Sequence, residues 1–422
     1  MTIVNIASND QEATRRPAQF AGCIKMTTDS NYLSAAQAAR ALNVSLQTLY
    51  AYVSRKGVRS LPIPGTRRRR YWKSDIERLR EKKLPAAVTP GPLKHESKIT
   101  LITESDIFYR GRNAVELAEH SSFEFVAALL WGFTDQELFG KIAPKIPPLF
   151  TQMDRLLANE SEVNRATALF TLLEQANPKA YDLSAIGMAR TGVDILRCLA
   201  AITLRTAKVT AEPIHEFVAR NRGLSPPLGD LVRRLLILSA DHAFEPGTVA
   251  VRTVASTGVT PWRSLISGFS VTLGRRGRMG SYDAIHRFVV EIVACSKPYA
   301  MVVGRIRDGD SLPGFDSHRS VDVHPAGDPR ARAMFAFCEV IFAKDPAFAR
   351  LREVAAAIKE IRSLDPSFAL MCVFAGLKVG LHPQDSLFHL GRAAGWIAHA
   401  IEQYQAGETY RQPETYQGQL PV

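Results

Sequence analysis

The stretch "VTLGRRGRMGSYDAI", residues 271–285, sets three arginines and three glycines within seven residues, between an apolar helix-like run and a second helix start. Guanidinium groups and glycine-freed backbone amides both offer N–H donors, the materials of a phosphate cradle. The same composition also makes a solvated basic turn, and the stretch alone leaves both readings open. A second concentration of charge is "TRRRRYW", where Arg67, Arg68, Arg69 and Arg70 run into Tyr71 and Trp72. Four consecutive guanidiniums beside aromatic rings suit nucleic acid better than an idle solvated face. Cys23, Cys198, Cys295, Cys338 and Cys372 are scattered with no CxxC spacing. They predict reduced thiols in a cytoplasmic protein, with no zinc site and no disulfides.

Elements must hold these groups in place. A chain of 422 residues suits two or three domains, and 46% hydrophobic with 22% charged residues is ordinary globular composition. No apolar run approaches a membrane span and the start of the chain has no secretory pattern, so no membrane partner is expected. Most of the net charge of +12 lies in residues 30–83, leaving the rest near neutral. Residues 1–29 lack periodicity and read as a disordered tail. "YLSAAQAARALNVSLQTLYAYVSRKG" then predicts a helix capped by Ser34, a turn at Asn43-Val44, and a second helix capped by Ser45. In that second helix Leu46, Leu49, Tyr50 and Val53 form the expected buried face. Gln47, Thr48, Ala51 and Arg55 lie opposite, able to reach base edges or phosphates. Pro64-Gly65 turns between two extended segments, and "SDIE" at 74–77 reads as a capping box opening a last basic helix.

Residues 30–83 resemble the winged helix-turn-helix of the mercury-resistance-regulator and excisionase type. The resemblance implies a DNA partner, with the helix at 45–55 in the major groove and Arg67–Arg70 on the backbone or in the minor groove. "LPAAVTPGPLKHES", within 84–97, is a linker by its prolines and lack of periodicity.

From about residue 98 the chain reads as helical. "SSFEFVAALLWGF" suggests a capping box of Ser121 and Glu124 over a buried stripe of Phe123, Val126, Ala127 and Leu130. Leu387, Leu390, Gly391, Ala394, Ile397, Ala398 and Ile401 trace one long apolar face. Four segments are similar, in order, to those of citrate synthases: "YRGRNAVELAEHSSFEFVAALLWG", "LILSADHAFEPGTVAVRTVASTG", "LPGFDSHRSVDVHPAGDPRA" and "FHLGRAAGWIAHAIEQY". The resemblance implies an all-α, two-domain fold over 98–422, with a smaller domain at roughly 277–365 inserted in the larger. It also implies a homodimer that condenses an acyl-CoA with oxaloacetate or a similar 2-oxo acid. The coenzyme A thioester is then a substrate, with no covalently bound cofactor and no metal.

That chemistry needs a carboxylate base at the acyl methyl, a hydrogen-bond partner for the enol oxygen, a histidine on the oxo acid's carbonyl, and arginines for its carboxylates. By the resemblance His242 contacts the oxo acid, His318 polarises its carbonyl with His324 as competitor, and Arg330, Arg392 and Arg411 bind carboxylates. Asp365 is the carboxylate near the base position, which ungapped counting from Arg392 gives to Ser367. The family's enol-binding histidine has no counterpart in "GRRGRMGSYD", where Gly277 or Arg278 takes its slot. Arg275, Arg276 and Arg278 are instead candidates for coenzyme A phosphates. The resemblance therefore implies a condensing scaffold whose activity is weak or lost. Its alternatives are a metabolite-sensing DNA-binding regulator and an inactive partner in a mixed dimer with an active citrate synthase.

Overall fold

The computed structural model describes residues 32–55, 58–81, 96–134, 136–274, 278–315, 324 and 327–409. The chain divides into two compact units, Met1–Pro92 and Leu93–Val422. The tail at 1–29 and most of the linker lie outside the described residues.

In the first unit, strand Arg69–Trp72 is central in a three-stranded antiparallel sheet, flanked by Tyr32–Ser34 and Ser60–Pro62. The turn at 64–65 uses Gly65 at φ +76°, a conformation glycine adopts without strain. Ser34 caps the Ala35–Leu42 helix in a capping box with Gln37. Asn43, at φ 51°, ends that helix in the left-handed region. Ser45 Oγ then accepts the Thr48 amide at 3.1 Å, opening the Leu46–Arg55 helix.

Two expectations shift here. Leu46 and Tyr50 are 45% and 53% exposed, whereas Leu49 is buried and Tyr52 and Val53 pack against the same core. A core this small covers one narrow i, i+3, i+4 stripe, and it is centred on Leu49. The last helix, Lys73–Glu81, begins directly after the strand, so Ser74 lies inside its first turn and not ahead of it. The buried carboxylate of Asp75 is used instead, accepting from the Arg59 backbone N–H, Nε and Nη2 at 2.9–3.0 Å.

The second unit adds a small antiparallel sheet, Thr100–Ile102, Ile107–Tyr109 and Arg112–Asn113, to a helical body. Phe123, Val126, Ala127 and Leu130 are fully buried on the Phe123–Trp131 helix. Its cap is Ser122, because Ser121 terminates the preceding helix through its amide to Leu117 O. Glu124 reaches forward to accept the Ile214 amide at 2.8 Å.

The Leu387–Ala406 helix is buried almost all round as far as Ile401. It packs against Ala185–Thr203, Pro226–Ser239, Pro246–Ala255 and Phe123–Trp131. Two glycines allow the closest approach: a Cβ on Gly391 would meet Leu236 O at 2.6 Å, and one on Gly395 would meet Ala240 O at 2.2 Å. Gly395 N donates to Ala240 O at 2.9 Å, locking the two helices backbone to backbone. Arg278–Ala294 packs on Pro346–Arg362 and Phe368–Lys378, and Pro298–Asp308 also packs on Pro346–Arg362. Among the described residues no helix is long and apolar enough to cross a membrane, and no metal-binding cluster is present. Cys198, Cys295 and Cys338 are free thiols.

Candidate functional site

The close glycine contact sets the site's floor. It brings the Arg392 guanidinium, fully buried, beneath the end of the Pro226–Ser239 helix, where Nε donates to Ser239 O at 2.8 Å. The chain then turns from Ala240 to Glu245 before restarting at Pro246. Asp241 tightens this turn by accepting the Ala243 amide at 3.0 Å, holding Ala243 at φ 52°. A non-glycine residue in that region is a local strain that the surrounding bonds must hold. The result is to present His242 and Glu245 from one short loop.

Asp241 is fully buried and faces His399 at 3.3 Å. Burial works to raise its pKa, but the charges of His399 and Arg392 win and hold it below the usual carboxylate range. Behind His399, Arg252 ion-pairs with Glu402 at 2.6 Å. The Tyr109 hydroxyl sits against the Ile237, Leu238 and Asp241 carbonyls at 3.2–3.3 Å. Burial pushes its pKa up to about 12 against the opposing charges of Arg330 and Arg392, so both arginines act on this one hydroxyl.

His324 and Asp328 precede the Pro329–Ile341 helix, and His324 meets this turn. His324 is buried, and its Nε2 lies 3.0 Å from His242 Nε2. One ring must donate and the other accept, so the pair cannot be doubly protonated in this arrangement. Burial lowers the His324 pKa, opposed by Asp328 and reinforced by Arg330 and Arg332. Asp328 caps the helix and takes Arg330 in a fork, with Nε at 3.0 Å and Nη2 at 2.7 Å. Burial would raise the Asp328 pKa, but Arg330 outweighs it and brings the value to about 2. Arg330 stacks over Phe368 at 4.5 Å, and Arg392 over Phe388 at 4.9 Å.

Several polar atoms here are buried without a hydrogen-bond partner among the described residues: His324 Nδ1, Arg330 Nη1, Arg392 Nη1 and Nη2, and Ser239 Oγ. Glu245 contacts Arg392 Nη1, but off the N–H direction, so the ion pair satisfies charge without a directed bond. Buried donors in this condition are costly, and a set of them around two arginines is chemically suited to a carboxylate-bearing ligand.

Asp365 is exposed and paired with Lys359 at 2.7 Å. Ser367 caps the Phe368–Lys378 helix through the Leu370 amide, and its own amide donates to Gly314 O at 2.7 Å. His318, Arg411, Arg275 and Arg276 lie outside the described residues, and Arg278 begins a helix whose first side chains do too. In the first unit Gln47, Arg67 and Arg68 are exposed, and Thr48 is tied to Ser45 at 2.9 Å. Arg69 is engaged with Ser60 at 3.0 Å, Arg70 is half-buried on the central strand, and the Arg55 side chain is outside the described residues. Sequence reasoning passed over Glu245, because an acid before Pro246 reads only as a helix start.

Residues 91–413 match the family model for the citrate synthase C-terminal domain. The chain belongs to the citrate synthase family. Residues 32–84 match a helix-turn-helix domain, so this citrate synthase-family chain carries one ahead of its helical body. It is 28% identical to a citrate synthase of Helicobacter pylori over 195 residues, 43% of this chain and 44% of that one. The chain thus spans about half the length of the first curated relatives it matches. The citrate synthase of Mycolicibacterium smegmatis is 25% identical over 363 residues, covering 76% of this chain and 92% of the relative. The fold is that of the Thermoplasma acidophilum citrate synthase solved with carboxymethyl coenzyme A and oxaloacetate, with TM-score 0.65 and 19% identity over 79% of this chain and 96% of that one.

Proposed function

We propose that the body binds a 2-oxo acid and an acyl-CoA thioester, as a homodimeric condensing scaffold of the citrate synthase type, and that condensation by it is weak or lost. The observation that carries the binding half is the group of unsatisfied buried donors on His324, Arg330 and Arg392. A 2-oxo acid offers what they lack: a carboxylate for the arginines and a carbonyl oxygen for an imidazole N–H. His242 orients His324, and His318 remains the alternative polarising group. Arg411 is assigned to a carboxylate, and Arg275, Arg276 and Arg278 to coenzyme A phosphates.

The catalytic half rests on what the sequence lacks. No histidine stands in the enol-binding slot, and losing one oxyanion donor typically costs about 100- to 1000-fold. The expected result with purified chain, acetyl-CoA or propionyl-CoA, and oxaloacetate or pyruvate is thiol release at background, while the 2-oxo acid still raises the melting temperature. Robust turnover that disappears in Asp365→Ala would overturn this reading.

One observation favours an added role as a metabolite-responsive DNA-binding regulator: Gln47, Arg67 and Arg68 are exposed together on one basic helix-turn-helix unit. In that reading Arg67→Ala or Arg68→Ala weakens binding to DNA uniformly across sequences. Each also reduces the slope of log K against log salt by about 1. Affinity indifferent to salt in the intact chain would remove it.

A further inference from the structure

Two carboxylates serve the two buried arginines of the pocket, and they do so differently. Asp328 caps a helix and accepts from Arg330 along the N–H directions. Glu245 caps nothing with its side chain, and it reaches Arg392 Nη1 without a directed hydrogen bond. Its side chain is 15% exposed, whereas that of Arg392 is fully buried. The backbone around it is fixed, with Glu245 N donating to Ala243 O and Val249 N to Glu245 O, both at 3.0 Å. Phe244 beside it packs on His399 and under Arg252.

We propose that Glu245 determines which 2-oxo acid the pocket accepts. Its carboxylate holds the place on Arg392 where a ligand's second carboxylate would sit, so the pocket takes a 2-oxo monocarboxylate in preference to a 2-oxo dicarboxylate. This rests on the reading of the body as a 2-oxo-acid pocket. The charges decide it: Arg330 is matched by Asp328 and Arg392 by Glu245, leaving free donors but no unmatched cation among these four groups. Arg330 Nη1 and Arg392 Nη2 are left as donors for a ligand's first carboxylate. A second must approach Glu245 at the same guanidinium, in a buried setting where like charges repel strongly.

The test uses the full chain, with pyruvate and freshly dissolved oxaloacetate as probes, by calorimetry and thermal shift. Wild type is expected to bind pyruvate more tightly. Glu245→Gln keeps shape and removes the charge. It is expected to tighten oxaloacetate on the order of 10- to 100-fold, the worth of a charge-assisted hydrogen bond, while changing pyruvate far less. Glu245→Ala should move the preference the same way, and unliganded melting temperatures of both variants check that the fold is intact. A wild-type preference for oxaloacetate, or an unchanged ratio in both variants, overturns the assignment and leaves the pocket standing. Binding of neither probe to any of the three proteins overturns it by removing the pocket itself.

Discussion

Replacing Arg330 with alanine is expected to destabilise the helical body by about 3–5 kcal/mol, the cost of stranding one member of a buried ion pair. Asp328 is nearly inaccessible to water, and the Arg330 fork is what allows its charge there. The pH dependence checks the cause. In the folded chain Asp328 titrates at about 2, below its ordinary 3.8. A depressed carboxylate contributes stability that is fully present above the ordinary value and lost as pH falls through the folded one. The window is therefore about pH 4 down to 2, and the contribution is on the order of 2 kcal/mol. Without the Arg330 guanidinium only His324 and the residue-330 amide still oppose burial, so the Asp328 pKa rises and this falling limb should flatten. Asp328→Asn with Arg330→Met removes both charges and keeps a residue able to cap the helix. It should recover most of the loss, since well-packed apolar replacements of buried pairs are often neutral or better. Urea unfolding followed by fluorescence reads this directly, because Trp131, Trp262 and Trp396 are buried in the body. Equal stability of Arg330→Ala and wild type across this range would show that the fork carries no structural weight.

What the sequence made legible follows from which signals are local. Ser34 with Gln37, Asn43 and Ser45 act within three or four residues, so the first unit's helix ends are readable from composition alone. The Ser121 expectation failed by one position because two helices meet there and the first claims Ser121 as its terminus. Leu46 and Tyr50 failed because the apolar pattern says which residues can be buried, while the size of the facing core decides which are. At the site, Arg330 and Arg392 were visible through their motifs. Their neutralising acids were not equally visible: Asp328 lies in the same motif, but Glu245 meets Arg392 across a separation of 147 residues in the chain. The contact of His242 with His324 spans 82 positions, and no periodicity encodes it.

The base position gives the second large expected effect. Asp365 is exposed, follows the end of the Pro346–Arg362 helix, and is held by Lys359. Ser367, two residues on, begins the Phe368–Lys378 helix, which lies under the site through the contact of Phe368 with Arg330. The Ser367 amide also donates to Gly314 O, four residues before His318 in the sequence. A carboxylate at 367 would keep the cap, because aspartate accepts the same N3 amide that serine does. Ser367→Asp is therefore expected to fold normally and to raise thiol release from acetyl-CoA in the presence of a 2-oxo acid. A positioned general base is worth about 100- to 10,000-fold, and a gain of at least about 10-fold is expected because the enol oxygen still lacks its histidine partner. Asp365→Asn should leave any residual rate within about two-fold, since an exposed carboxylate in a screened surface pair abstracts no proton from a bound methyl. A loss of 100-fold or more in Asp365→Asn, with no gain in Ser367→Asp, would return the base to Asp365. It would also require the 363–367 segment to turn its carboxylate inward when substrate binds. The two variants separate a scaffold that has lost its base from one that presents it only in the closed complex.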